Sequence, residues 1–324
     1  MKKVFTKKMK TMHTTIISFK RTILGLAFII SGIGSAIAQD SIPAEPEVTQ
    51  KPLAKAAFES GICMDNITVA MPPAKTLEFV LQHRFGTIQN GWSDLAGLWG
   101  ASNIRLGLNF TITKNLMVGL GTTKNNRLQD LQVKYTFLRQ RKGGTPLTIA
   151  YYFDLSLNAT NKSKFGADYK FIDRLAYYNE FLFARHFCNL FSGQLGLSYT
   201  HFNKADRSAD TNAVNDALAF SLLGRFKISP QSSIVVSYVQ PIILNYDPAF
   251  IVRDGKNWME IPTNKAPYPN LSLGWEVSTS THAFHVYISA AQGILPSEVV
   301  MHNTNNFFNG FILVGFNLTR LWSF

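Results

Sequence analysis

Leu147-Thr148-Ile149-Ala150-Tyr151-Tyr152-Phe153-Asp154-Leu155-Ser156-Leu157 is the stretch that decides the fold. Leu147, Ile149, Tyr151, Phe153, Leu155 and Leu157 fall on one face of an extended chain. Thr148, Ala150, Tyr152, Asp154 and Ser156 fall on the other. The same period of two recurs along the chain. Leu77, Phe79, Leu81, His83 and Phe85 alternate with Glu78, Val80, Gln82 and Arg84. Ile104, Leu106, Leu108, Phe110 and Ile112 alternate with Arg105, Gly107, Asn109 and Thr111, and Leu271, Leu273, Trp275 and Val277 with Ser272, Gly274 and Glu276. No segment after residue 38 is apolar for the roughly 20 residues that a membrane helix needs.

Twelve strands are expected, near 76–85, 102–112, 115–122, 128–138, 147–157, 175–187, 190–202, 216–228, 233–245, 270–278, 282–290 and 310–324. Ten or fourteen would fit if a weak strand such as 233–245, with its Pro241, is misread. Long connections (86–101, 158–174, 203–215, 246–269, 291–309) alternate with short ones (113–114, 139–146, 188–189, 229–232, 279–281). Long loops on one side and tight turns on the other are the layout of an outer-membrane barrel. The expectation is an all-β, transmembrane, antiparallel up-and-down β-barrel over residues 76–324, located in the cell outer membrane of a Gram-negative bacterium. A soluble β-sandwich also alternates. Against it stand the strand length, a polar face of Gly, Ser, Thr and Asn suited to a lumen, and rings recurring near strand ends, where a membrane interface places them.

Residues 1–38 read as a signal peptide, with seven basic residues, an apolar run from Thr22 to Ile33 and small residues before Gln39. Residues 39–75 read as a linker rich in proline at its start, with a candidate plug segment at its end. The chain has 32 Lys+Arg against 20 Asp+Glu; without the seven basic residues of 1–38, 25 remain against 20. The basic pI is thus partly an export feature, and no nucleic-acid partner is expected. No cofactor or metal motif is visible in the spacing.

Ile312, Val314, Phe316, Leu318, Trp322 and Phe324 share one face of the last strand. Trp322 and the terminal Phe324 resemble the signal by which such barrels are recognised for assembly. The expected partners are therefore outer-membrane lipid, the assembly machinery and an unknown small solute. Arg320 interrupts the apolar face, where an Arg near the interface costs about 0–1 kcal/mol and its stem can snorkel.

His83-Arg84-Phe85-Gly86, Asn90-Gly91-Trp92, Asn103-Ile104-Arg105-Leu106-Gly107, Leu116-Met117-Val118-Gly119-Leu120-Gly121 and Val133-Lys134-Tyr135 follow in succession. Over about residues 56–140 this resembles a bacterial outer-membrane β-barrel family of unknown function that shares a His-Arg-Phe-Gly motif. The resemblance implies fold and location, and carries over no catalytic residue.

The candidate lumen or ligand residues are His83, Arg84, Arg105, Lys134, Glu180, Arg225 and Glu276, joined by Glu78 and Asp154 on the polar face. Arg84 could receive a carboxylate or phosphate or pair with a carboxylate of the wall. Mixed charge could line a selective pore or brace a narrow closed barrel. Trp92, Trp99 and Trp258 are loop candidates that could stack on a sugar or partner, or anchor at the lipid interface. Cys63 and Cys188 could form a disulfide that fastens residues 54–75 to the barrel floor. The leading functional expectation is passive transport or binding of a small solute. A non-conducting barrel acting through its loops is the alternative. A lipid hydrolase with a Ser–His pair on the outer wall comes third, with His83, His186, His201, His282 and His285 as its histidines. His282 and His285 should face opposite sides of their strand.

Overall fold

The computed structural model describes residues 51–324 apart from 167, 205–214, 245–248, 255–256 and 263–266. The expected signal peptide and the start of the linker lie outside the described residues.

Two short strands, β1 (Ile62–Cys63) and β2 (Asn66–Ile67), form a small hairpin. Nine strands follow: β3 (Thr76–Thr87), β4 (Asn103–Thr113), β5 (Leu116–Thr123), β6 (Leu128–Leu138), β7 (Thr148–Asn158), β8 (Leu175–His186), β9 (Phe191–Phe202), β10 (Asp216–Lys227) and β11 (Ser232–Ile243). Next come β12 (Ala249–Asp254) and β13 (Asn257–Pro262), which pair only with each other, then β14 (Asn270–Ser278) and β15 (His282–Ser289). A short helix, α1 (Pro296–Met301), precedes β16 (Leu313–Ser323). Twelve of these strands close into an antiparallel barrel, each beside its sequence neighbour, with β11 meeting β14 across the β12–β13 hairpin and β16 closing on β3. Closure leaves no strand edge, which is what a bilayer requires of a β structure.

The strands lie within a few residues of their expected places. Pro241 does not break β11, for a local reason. β11 pairs with β14 only as far as Val239 opposite Asn270, while its pairing with β10 continues through Pro241 opposite Ala219. Proline therefore sits where one side of the strand has no neighbour waiting for an N–H.

Burial alternates along every barrel strand, and the apolar face is the exposed one. Leu108, Leu120, Phe181, Leu197, Leu222, Trp275 and Val286 point outward into the lipid band. Rings gather at the short-turn end, where Phe187, Phe191 and Phe226 stack with centroids 5.4 and 4.8 Å apart. Arg320 also faces outward, its guanidinium 4.9 Å from the Trp322 ring, a placement in which the aromatic face shields the charge.

Two segments that are not part of the wall fold inside it, the first of them the candidate plug segment. Residues 57–70 enter from the short-turn end as a finger whose tip is Met64-Asp65, and they are buried almost throughout. The stretch 290–303, most of it in the long connection expected over 291–309, folds inward from the opposite end. Its sequence differs from the Asn/Lys-rich loops: Ala290, Ala291, Ile294, Leu295, Val299 and Val300 are apolar and fully buried. Pro296 opens α1, where its missing N–H costs nothing.

Candidate functional site

The site is the filled lumen, and the charges on its wall hold the two inserted segments. Asp65, at the finger tip, is paired with Arg84 of β3, and both side chains are fully buried. The same carboxylate accepts from Asn270 Nδ2 at 2.7 Å, Ser289 Oγ at 2.6 Å and the Ser272 hydroxyl. Arg84 also donates to the Ala291 carbonyl at 2.8 Å. One ion pair thus ties the finger to the wall and the wall to the inward-folded loop. A buried pair repays its desolvation only with such additional hydrogen bonds.

Lower in the lumen, Lys134 of β6 donates to the carbonyls of Thr68 (3.0 Å) and Ala70 (2.7 Å). Gln194 of β9 donates to the Ile67 carbonyl at 2.7 Å and accepts from the Val69 N–H at 3.0 Å. Asn317 donates to the Met64 carbonyl at 2.9 Å. These side chains satisfy the backbone groups that a finger with only a two-residue hairpin leaves unpaired. Arg225 of β10 bridges Glu276 of β14 (2.6 Å) and Glu59 of the finger (2.9 Å). His285 Nε2 lies 3.1 Å from the other oxygen of Glu276, its direct cross-strand neighbour.

A second set of charges braces the wall itself. Arg105 Nε and one terminal nitrogen donate to the two oxygens of Asp130 at 3.0 and 2.5 Å, across the intervening β5. Gly121 on β5 lies beneath this pair, and a Cβ there would collide with both the guanidinium and the carboxylate. Gly196 makes similar room for Glu180, which accepts from Ser221 Oγ at 2.9 Å.

Arg84, Arg105, Lys134, Glu180, Arg225 and Glu276 therefore all face the lumen, as do Glu78 and Asp154. His83 does not. It sits on the lipid-facing register, its ring 4.4 Å from Phe85 and 5.2 Å from Phe316, because a residue one step from Arg84 must point to the opposite side of the strand. Trp92 and Trp99 are 86% and 73% exposed at the loop end. Trp258 lies in β13, and its side chain falls outside what the structure describes. Trp322 is on the outer face, and Phe324 is exposed. His282 stacks on Phe284, outside, while its strand partner His285 is inside.

The disulfide is not formed. Both cysteines are free: Cys188 is exposed in the turn between β8 and β9, whereas Cys63 is buried one residue from the finger tip. The geometric reason is that the finger sets Cys63 beside Glu276 and His285 of β14 and β15, whereas Cys188 lies in the turn between β8 and β9, on another part of the wall. Burial pushes the Cys63 thiol up, and the nearby Glu276 carboxylate pushes it further. The finger is fastened by ion pairs and amide contacts instead. Asp65, Asp130 and Gln194 are not among the expected site residues, and His285 is expected only as a candidate hydrolase histidine. The period of two places Asp130 in phase with Lys134 and His285 opposite Glu276, but nothing in the spacing brings Asp65 to Arg84.

Glu298, in α1, is buried and accepts from the Ile294 N–H at 3.2 Å. Burial pushes its pKa up to about 7. The folded loop thus holds a proton that an opened loop would release, so its stability is highest below the ordinary glutamate range and is lost as pH rises through about 7. A displacement of this size is linked to roughly 3 kcal/mol of loop stability. Protection factors at Ile294–Val300, which remove the intrinsic base-catalysed rise in exchange, are expected to fall from pH 5 to pH 8 in the wild type and to lose that dependence in Glu298→Gln.

A cavity of about 20 Å³ lies among the wall, the finger and the start of α1, lined by Glu78, Arg105, Lys134, Tyr152 and Leu295, among others. A water needs roughly 10–15 Å³ on this measure. Around the root of the finger, at the short-turn end, a wider vestibule of about 360 Å³ opens beside Phe58, Pro73, Arg139 and Thr281.

A comparison with curated proteins found no match. Among solved structures, the NanC porin aligns with a TM-score of 0.44 at 8% identity, over 76% of this chain and 99% of that one. The KdgM porin aligns at 0.41 and 8%, over 77% and 99%. Outer membrane phospholipase A from Escherichia coli aligns at 0.39 and 11%, over 78% and 92%. Porins and a phospholipase resemble this chain to much the same degree, so the likeness does not separate their functions. A family model described as "Membrane bound beta barrel domain (DUF5777)" matches residues 58–322, a span that takes in α1 and all of the finger and barrel strands but residue 57 and Ser323. The chain belongs to that family of membrane-bound β-barrels.

Proposed function

We propose that this protein is a plugged outer-membrane barrel that binds a small polar or amphipathic solute and admits it only when the finger withdraws. The observation that carries this reading is the burial of the finger and α1 inside the barrel, with a cavity of about 20 Å³ between them and the wall. No solute larger than water passes such a space without displacing protein. The vestibule at the finger root, at about 360 Å³, is in the range of small-molecule sites and is where a solute would meet the plug from the short-turn side. The lipid around the barrel and the machinery that assembles it are the other proposed partners, the latter through Trp322 and Phe324.

Planar-bilayer recording tests this. The full-length folded protein is expected to be silent. A variant in which a short Gly/Ser linker replaces residues 57–70 is expected to give discrete, reproducible steps. Steady conductance from the full-length protein would end the reading, and so would silence from a finger-less barrel shown to be folded and inserted.

The second outcome would favour a non-conducting barrel that binds ligand through its loops. The strong exposure of Trp92 and Trp99 in the connection between β3 and β4 supports that alternative. A lipid hydrolase would need its Ser–His pair on the outer wall. His186 Nδ1 does lie 3.0 Å from Ser192 Oγ, but Ser192 is buried on the lumen side.

A further inference from the structure

Cys63 belongs to the finger, and Glu276 and His285 to β14 and β15. The Cys63 sulfur, a carboxylate oxygen of Glu276 and a ring nitrogen of His285 lie within 4.8 Å of one another, and all three side chains are buried. They are 213 and 9 residues apart in sequence, so no spacing motif announces them, and only insertion of the finger gathers them. We propose that they form a site for a zinc-class divalent cation that latches the finger to the barrel wall.

A thiolate, an imidazole and a carboxylate are the ligand types that a borderline-soft d¹⁰ cation takes. Bonds of roughly 2.0–2.3 Å in a tetrahedral shell put ligand atoms about 3.3–3.8 Å apart. The observed spread therefore needs a closure of about an ångström, within the reach of side-chain rotation. His285 Nε2, the nitrogen that faces Glu276 at 3.1 Å, is the one that would take the ion, which would sit between these two atoms in place of their hydrogen bond.

The charges also close. Binding converts the Cys63 thiol to a thiolate and releases one proton to the buffer, with no change of oxidation state. The thiolate and the Glu276 carboxylate then offset the two positive charges of the ion. Arg225, now sharing Glu276, keeps its second partner, Glu59, at 2.9 Å. No buried charge is left uncompensated, which is the condition for such a site in a low-dielectric lumen. The ion would staple one finger residue to two adjacent strands near the tip contact of Asp65, so that loading reinforces closure. The site exists only with the finger inserted and thus rests on the plugged-barrel reading.

The test uses the folded, chelator-washed Cys188→Ala protein, in which Cys63 is the remaining thiol, with Co²⁺ as the probe. The expected result is a thiolate-to-cobalt charge-transfer band that saturates at about one ion per chain and is displaced by Zn²⁺. His285→Gln and Glu276→Gln, checked for folding by heat-modified gel mobility, are expected to weaken binding by roughly 100-fold or more. Absence of the band from the folded protein overturns the site, and so does a band unchanged in His285→Gln. Maleimide labelling of Cys63 in the same metal-free protein separates the two readings. Slow labelling without a cobalt band rejects the metal site alone. Rapid labelling means that the finger is not inserted, and rejects both.

Discussion

Asp65→Ala is expected to release the finger. The substitution leaves the Arg84 guanidinium fully buried without its carboxylate, and strands the donors of Asn270, Ser272 and Ser289 with it. Removing one partner of a buried ion pair costs about 3–5 kcal/mol. The finger and loop 290–303 can escape that cost by leaving the lumen, whereas the barrel wall cannot. Alkylation of Cys63 in the folded protein should therefore speed up by roughly a hundredfold or more, since 1.4 kcal/mol is about a factor of ten. Bursts of conductance should appear in bilayers where the wild type is silent. The double variant Asp65→Ala with Arg84→Met removes both charges and should recover much of the protection, because a buried pair replaced by apolar groups is often neutral. Equal labelling rates for wild type and Asp65→Ala would mean that the pair does not hold the finger.

Asp130→Ala is expected to weaken the wall without opening it. Asp130 takes both nitrogens of Arg105 and is itself supported by Gln132 Nε2 at 2.9 Å. The pair spans β4, β5 and β6, and none of its hydrogen bonds reaches the finger. The loss should again approach about 3–5 kcal/mol, here read as a lower denaturant midpoint for the whole barrel. Gly121→Ala should act in the same direction by pushing the pair apart. Cys63 labelling and bilayer silence should stay as in the wild type. The two aspartates thus separate two roles of lumen charge, one locking the plug and one bracing the cylinder. If Asp130→Ala also opened the lumen, that division would be wrong.

Both experiments depend on features that are unequally visible in the chain. The barrel is written in local pattern. A period of two assigns each residue to lipid or lumen without knowledge of its neighbours, so Leu108 and Leu120 fall outside while Arg105, Lys134 and Glu276 fall inside. The same rule places His83 outside and His285 inside, and the grouping of His83 with the lumen residues set aside its own alternation. The alternation of long and short connections does the same for the two ends.

The contents of the lumen are not written that way. Residues 57–70 and 290–303 have no periodicity, and their one shared signal is a scarcity of charge among small apolar residues. Asp65 meets Arg84, and Cys63 meets Glu276 and His285, only because the barrel closes and surrounds whatever enters it. Closure is a long-range event, in which β16 must find β3 across more than two hundred residues, and the facing of non-adjacent side chains follows from it. The sequence by itself determined the wall, because each strand's choice between oil and water is made residue by residue. A plug segment was legible only as a candidate; the tertiary structure decided that it and loop 290–303 enter the lumen, because which charges pair inside depends on where the chain returns.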